Sequence, residues 1–132
     1  MEIKKINKYY SDNRGSITDI VEQKNFNGST IIVSKKGSIR GNHYHKKTIQ
    51  HIYILSGKMI AYAKRVNEPL FKKTVLAGDL ISHDALEAHA FKALEDTTFI
   101  VFSSGLRTGK DYEKDTYRLN VPIEDFSQKD II

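Results

Sequence analysis

The sequence predicts an all-β fold, a sandwich or barrel of short antiparallel strands. Three observations carry this. Helical patterns are scarce. Short runs rich in β-branched and aromatic residues recur along the chain. Turn residues separate them, at Asn27-Gly28, Lys36-Gly37, Ser56-Gly57, Asn67-Glu68-Pro69 and Ala77-Gly78-Asp79. Many short strands with turns at that spacing, and no helices between them, close into a sandwich or a barrel.

In chain order, "SITDIVE" (16–22) is the first expected strand, resting on Ile17, Ile20 and Val21. "STIIV" (29–33), "HIYILSG" (51–57), "MIAYAKRV" (59–66), "FKKTVL" (71–76) and "TTFIVFS" (97–103) follow. The final "PIEDFSQKDII" predicts one short helix or a docked tail. Within these runs "IYIL" and "FIVF" are apolar at every position. A strand in a lone small sandwich keeps one wet face. The outer face is therefore expected to be covered, either by a second subunit in a homodimer or by the chain's own terminal segment.

Composition bounds the rest. At 132 residues the chain suits one domain, 1–132, with a real core. With 39% hydrophobic and 28% charged residues it falls in the soluble globular class. There is no cysteine, which excludes disulfides, zinc knuckles and thiol nucleophiles. "MEIKKINKYY" lacks the apolar core of a signal peptide, and no apolar run reaches membrane length. A cytoplasmic protein with no membrane partner is expected. The net charge of +5 comes from scattered lysines. An ordinary solvated surface accounts for it; attraction to a phosphorylated small molecule is the sharper alternative. No helix-turn-helix, zinc finger or aromatic–basic RNA signature is present, so nucleic acid is not expected.

The least ordinary stretch is "RGNHYHKKTIQHIYILSG" (40–57). Residues i and i+2 of a strand share a face, so His43 and His45 project together. Gln50 has the opposite parity and joins them only if a turn or bulge falls within "KKTI". Beyond it, Ile52 and Ile54 point inward, while His51, Tyr53 and Leu55 face out. His51 is thus expected at a surface or interface, and His83 in a loop.

Read from Gly37, the spacing is G-x5-H-x-H-x4-Q-x6-G, and Gly78 is followed by His89. This resembles the two motifs of the cupin family. The first ordinarily has Glu where Gln50 stands. The second keeps Gly78 and His89, with Asp84, Leu86 and Ala93 where Pro, Gly and Asn are usual. The resemblance implies a cupin jelly-roll barrel, the double-stranded β-helix, with His43 and His45 inside. Metal-binding cupins use two His, one Glu and a further His; His43, His45, Gln50 and His89 fill those places. Imidazoles suit zinc and similar divalent ions. A neutral amide is a poorer ligand than a carboxylate, so no metal is expected; one that did bind would take those four residues. Metal-free proton transfer is the other chemistry, since histidine titrates near neutral pH.

Within the RmlC-like cupins the chain is similar to enzymes of nucleotide-linked sugars, from about Asp12 to Val121. "DNRGSITDIVE" (12–22) resembles the opening of dTDP-4-dehydrorhamnose 3,5-epimerase relatives. "RGNHYHKKTIQ" (40–50) resembles the signature of 3,4-ketoisomerases, where Gln is usual and no metal is used. "SKKGSIRGNHYH" (34–45) and "KDTYRLNV" (114–121) resemble the C-terminal cupin domain of capsular-polysaccharide sugar epimerases, where zinc can bind. Gln50 and Lys46 favour the ketoisomerases, but "GSTIIVS" lacks the tyrosines those enzymes carry on the preceding strand.

The resemblance implies an isomerase of a nucleotide-linked 4-keto-6-deoxy sugar, serving surface polysaccharide or deoxysugar biosynthesis. His43 and His45 would be base and acid. His89 and Gln50 would orient them or hold the sugar. Arg40, Lys46 and Arg14 would meet the diphosphate of a TDP or UDP sugar. Tyr117 and Arg118 belong either to the pocket or to a tail. The competing classes are a non-catalytic nucleotide-sugar-binding cupin and a metal-dependent small cupin enzyme.

Overall fold

The computed structural model describes residues 1–106, 109–111 and 113–126. Among these residues twelve strands form: β1 (Glu2–Lys5), β2 (Tyr10–Asp12), β3 (Gly15–Ile17), β4 (Gly28–Ser34), β5 (Ile39–Tyr44), β6 (Ile49–Ser56), β7 (Lys58–Lys64), β8 (Phe71–Leu76), β9 (Asp79–His83), β10 (Ala88–Ala93), β11 (Thr97–Ser104) and β12 (Tyr117–Arg118). One sheet runs β1-β9-β6-β11-β4 and the other β12-β5-β10-β7-β8. The described pairings are antiparallel. From β4 to β11 the chain changes sheet at every connection except the β7–β8 hairpin. This is the double-stranded β-helix path of a jelly roll.

The core lies between the sheets. Ile52, Ile54, Phe99 and Val101 come from one side and Met59, Ala61, Phe91 and Ala93 from the other. The five runs from "STIIV" onward are β4, β6, β7, β8 and β11. "SITDIVE" is corrected: only Gly15–Ile17 is a strand, paired with β2 in a short hairpin. Ile17, Ile20 and Val21 do not alternate with period 2, so no single sheet face could take all three. β9 and β10 lie outside the expected runs. In "AHAFKA" the alanines are weak strand formers, but small residues are what fits there: Ala88 and Ala90 are fully buried under Ile123. That isoleucine belongs to a single 3-10 turn, Ile123–Asp125, so the tail docks as a turn rather than a helix. The last residues of the expected tail, 127–132, lie outside the described residues.

The doubly apolar strands are half explained. Phe26, just before β4, packs on Phe102 with ring centroids 5.1 Å apart. Beside it Ile31, Val33 and Leu55 remain 67%, 53% and 46% exposed. The chain's own segment thus covers part of that face and leaves the rest open. Among the described residues no helix is long and apolar enough to cross a membrane.

The turn between β9 and β10 carries a testable strain. Leu86, at the motif position where Gly is usual, has φ 67°. Its N–H donates to the His45 carbonyl at 2.6 Å, which holds the turn closed. The left-handed region is costly for a branched side chain, and Leu86 recovers little by burial at 57% exposed. Leu86→Gly is therefore expected to raise stability by about 0.5–1 kcal/mol, read as a higher urea midpoint. A lower midpoint would show that the side chain supplies more than the strain removes.

Candidate active site

The site is built at one mouth of the barrel, where β5 turns into β6. On β5, Gly41 and Asn42 carry φ of 101° and 56°. The register slips there: His89 pairs with His43 but Ala90 pairs with Gly41. Asn42 is thus the extra residue of a β-bulge. One added residue reverses parity, so Arg40 and His43 both line the same cavity. The C-terminal segment pins the bulge: Leu119 N–H donates to the Asn42 carbonyl and Ile123 N–H to Asn42 Oδ1, each at 2.9 Å.

The bend in "KKTI" that Gln50 requires is made by Asp115. Its buried carboxylate accepts the N–H groups of Lys46, Lys47 and Thr48 and the Thr48 hydroxyl, at 2.9–3.1 Å. Burial works to raise the Asp115 pKa, but those bonds outweigh it and hold it below the usual carboxylate range. Gln50 is 5% exposed and lines the cavity. Asp115 was missed because its signal is only a lone Asp in "KDTYRLNV".

His43, His45 and His89 are 6%, 2% and 3% exposed. Their ring centroids lie 4.8–5.3 Å apart. One ring nitrogen of each falls within 4.8 Å of the others. Their partners set their tautomers. His45 Nδ1 meets the Asp115 carbonyl at 2.7 Å, and His89 Nδ1 meets the Glu87 carbonyl at 3.1 Å. A carbonyl only accepts, so both rings carry hydrogen on Nδ1 and a lone pair on Nε2. His43 is the reverse: its Nδ1 receives Arg118 Nη1 at 3.1 Å. A guanidinium only donates, so the neutral His43 ring carries hydrogen on Nε2. Arg118 is itself held by Glu113 Oε1 at 2.8 Å. Burial, then repulsion from His83, His43 and His45, holds His89 well below the ordinary histidine pKa. It is neutral at neutral pH.

His83 is corrected. It is not a loop residue; it ends β9, 1% exposed, opposite Gln50. Its ring stacks on His89 at 4.4 Å between centroids, and its Nδ1 donates to Glu87 Oε1 at 2.7 Å. Glu87 also takes Arg65 Nε at 3.0 Å and the Met1 ammonium. Burial pushes the Glu87 carboxyl up, yet His83 and the Met1 ammonium outweigh that and lower it to about 2. Spacing alone does not reveal this cluster, because Glu87 is bound by residues up to 86 positions away.

The cavity measures about 350 Å³, within the range of small-molecule sites. His43, His89, Gln50, Arg40 and Arg118 line it over an apolar floor of Ile52, Phe91 and Phe99. His45 packs against His43 but is not on the lining. Lys46 sits 4.3 Å over the Tyr117 ring, off the cavity. Arg14 pairs with Asp12 in the β2–β3 turn and does not line it. His51 faces outward, bonded to Ser82 Oγ at 2.7 Å. A larger hollow of about 630 Å³ lies on that outer side. Four lysines and four carboxylates line it, so their charges cancel and no reactive set converges.

A family model described as the polysaccharide biosynthesis C-terminal domain matches residues 10–117. The chain belongs to that family. No curated protein sequence matches it. Among solved structures, this polysaccharide biosynthesis C-terminal domain is similar to dTDP-4-dehydrorhamnose 3,5-epimerase from Sulfolobus tokodaii, at 23% identity, over 93% of this chain and 79% of that one, TM-score 0.68. It is similar to the 3,4-ketoisomerase QdtA from Thermoanaerobacterium thermosaccharolyticum, in complex with TDP-4-keto-6-deoxyglucose, at 18% identity, 89% and 86% coverage, TM-score 0.72. It also matches the capsular polysaccharide assembling protein CapF from Staphylococcus aureus, at 23% identity and TM-score 0.64. There it covers 88% of this chain but only 33% of CapF. At such identities the likeness shows the jelly-roll fold alone.

Proposed function

We propose that this domain is an isomerase of a nucleotide-linked 4-keto-6-deoxy sugar, working by removal and return of the C3 proton. The observation that carries the reading is the opposed tautomers around one cavity. His43 offers an N–H and His89 a lone pair at the lining, while His45 stands behind His43. A 4-keto group acidifies the C3 proton. A lone-pair imidazole takes that proton, the C3–H electrons move into the C3–C4 bond, and the carbonyl electrons move onto O4. His43 Nε2–H meets the developing oxyanion. Returning the proton to the other face of C3 gives the epimer. Delivering it to C4, while O4 takes up a proton and O3 gives one up, moves the ketone to C3. Arg40 and Arg118 supply guanidinium donors for the diphosphate. The folds solved with TDP-sugars support the substrate class.

The reading runs without a metal. A ligating histidine ordinarily donates its second N–H to an acceptor. His45 and His89 are oriented so, but His43 receives a guanidinium, which occupies its lone pair and adds a positive charge beside the site. Among the described residues no carboxylate joins the set to offset a divalent ion. The three imidazoles lie close enough together to hold an ion, and the guanidinium on His43 Nδ1 is what argues against one.

The test is deuterium exchange. Incubated in D₂O with TDP- or UDP-4-keto-6-deoxyglucose, the protein is expected to exchange the C3 proton, with rate unchanged by chelator. No exchange above background with either nucleotide would sink the reading; binding without exchange would leave a sugar-binding cupin. Exchange abolished by chelator and restored by zinc would replace it with the metal-dependent one.

The assembled form is read as a homodimer across the open β4 face. Ile31 and Val33, two apart on one strand, would be buried together by a second copy. Sedimentation is expected to give a dimer for the native chain and a monomer for Ile31→Glu/Val33→Glu. A monomeric native chain would remove this assignment.

A further inference from the structure

Behind the cavity lies a second charged layer that the proposed chemistry does not use. Glu87 and His83 are 1% exposed each. Glu87 Oε1 takes His83 Nδ1, while Oε2 takes Arg65 Nε and the Met1 ammonium. Arg65 also reaches Asp84 at 3.0 Å. Two carboxylates therefore face two cations, and the count balances with His83 neutral. His83 Nε2 is buried with no hydrogen-bond partner among the described residues. Buried ionised groups are poor stabilisers compared with apolar packing, and an orphaned ring nitrogen costs more still. Core stability alone is a weak reason for such a layer.

The geometry offers another. Glu87 touches both neighbouring imidazoles, with its carboxylate on His83 and its carbonyl on His89. The two rings stack at 22° between planes, and His89 lines the cavity. We propose that Glu87 and His83 are positioning residues for His89. The Glu87 carboxylate locks the His83 ring, and that ring and the Glu87 carbonyl together hold His89 with its Nε2 lone pair toward the ligand. This rests on the reading that the cavity holds a 4-keto sugar. A free His89 could flip and present a hydrogen instead; the stacked, anchored ring prevents it.

Long-range ¹H–¹⁵N spectra of the full chain near neutral pH test this directly. His83 and His89 are both expected to show a protonated Nδ1 and a bare Nε2. In Glu87→Gln the His83 signals should move toward a mixed tautomer. In His83→Phe, which keeps a stacked ring and roughly its volume, the His89 signals should shift. C3 exchange should lose about tenfold or more in kcat in both variants, with KM within about twofold, the usual effect of removing an orienting partner. A native spectrum with hydrogen on His89 Nε2 overturns the proposal, and needs no variant. So do folded variants with native kcat. If the native protein exchanges no proton, the functional reading fails, while the spectra still decide whether Glu87 and His83 set the His89 tautomer.

Discussion

His43→Asn is expected to lower the C3 exchange rate by about 10²- to 10⁴-fold, the usual size of a lost general acid or base. TDP affinity should stay within about threefold, since phosphate contacts position rather than react. Asparagine is close to the imidazole in reach and can still accept from Arg118. It cannot pass a proton as imidazole does. The comparison with His45→Asn and His89→Asn then identifies the base: whichever of these two lone-pair rings costs more in kcat is the acceptor. The structure places His89 on the lining and His45 just behind His43. His43→Asn with exchange within about threefold of native would remove His43 from the chemistry. Arg118→Met is a milder companion. It removes the Arg118 donor from His43 Nδ1, so that contact no longer imposes the tautomer.

Much of the fold was legible because its strands state their period and their ends. "FKKTVL" coincides with β8 to the residue, and "TTFIVFS" with β11 to within one. The parity argument put Gln50 beside the histidines only if a bend fell within "KKTI", and that bend is the one Asp115 organises. What was illegible has a common cause. β10 is alanine-rich because the docked tail needs close approach, so tertiary packing overrides local propensity there. His83, Glu87 and Asp115 act through partners distant in sequence, and no local spacing encodes them. Arg118 was ambiguous for the same reason: "TYRLNV" fits a tail as well as a pocket. Only the β12–β5 pairing, with Arg118 opposite His43, shows which it is. The histidine pair thus marked a candidate site, but the partners of its ring nitrogens lie some 70 positions downstream.

Gly41→Ala is expected to cost about 2–4 kcal/mol of stability, adding left-handed strain to a steric clash, and to cut C3 exchange with it. An added Cβ would lie 2.7 Å from the His89 carbonyl oxygen and 2.9 Å from Ala90 Cα. Both are backbone atoms of β10 and cannot swing aside. The strands must part at the bulge, and this is the place where His43 and His89 face each other. A shift of a few tenths of an ångström there moves donor and acceptor relative to the sugar. Gly37→Ala separates the two causes. Gly37 has φ 88°, nearly as unfavourable for alanine, but an added Cβ there meets nothing within 4 Å. It should lose only about 1–2 kcal/mol, the strain alone, and leave the folded protein's exchange rate unchanged. Urea unfolding with exchange on each variant gives both numbers. Equal losses from the two substitutions would mean that strain suffices, and that the close approach of β5 to β10 does not hold the histidines in place.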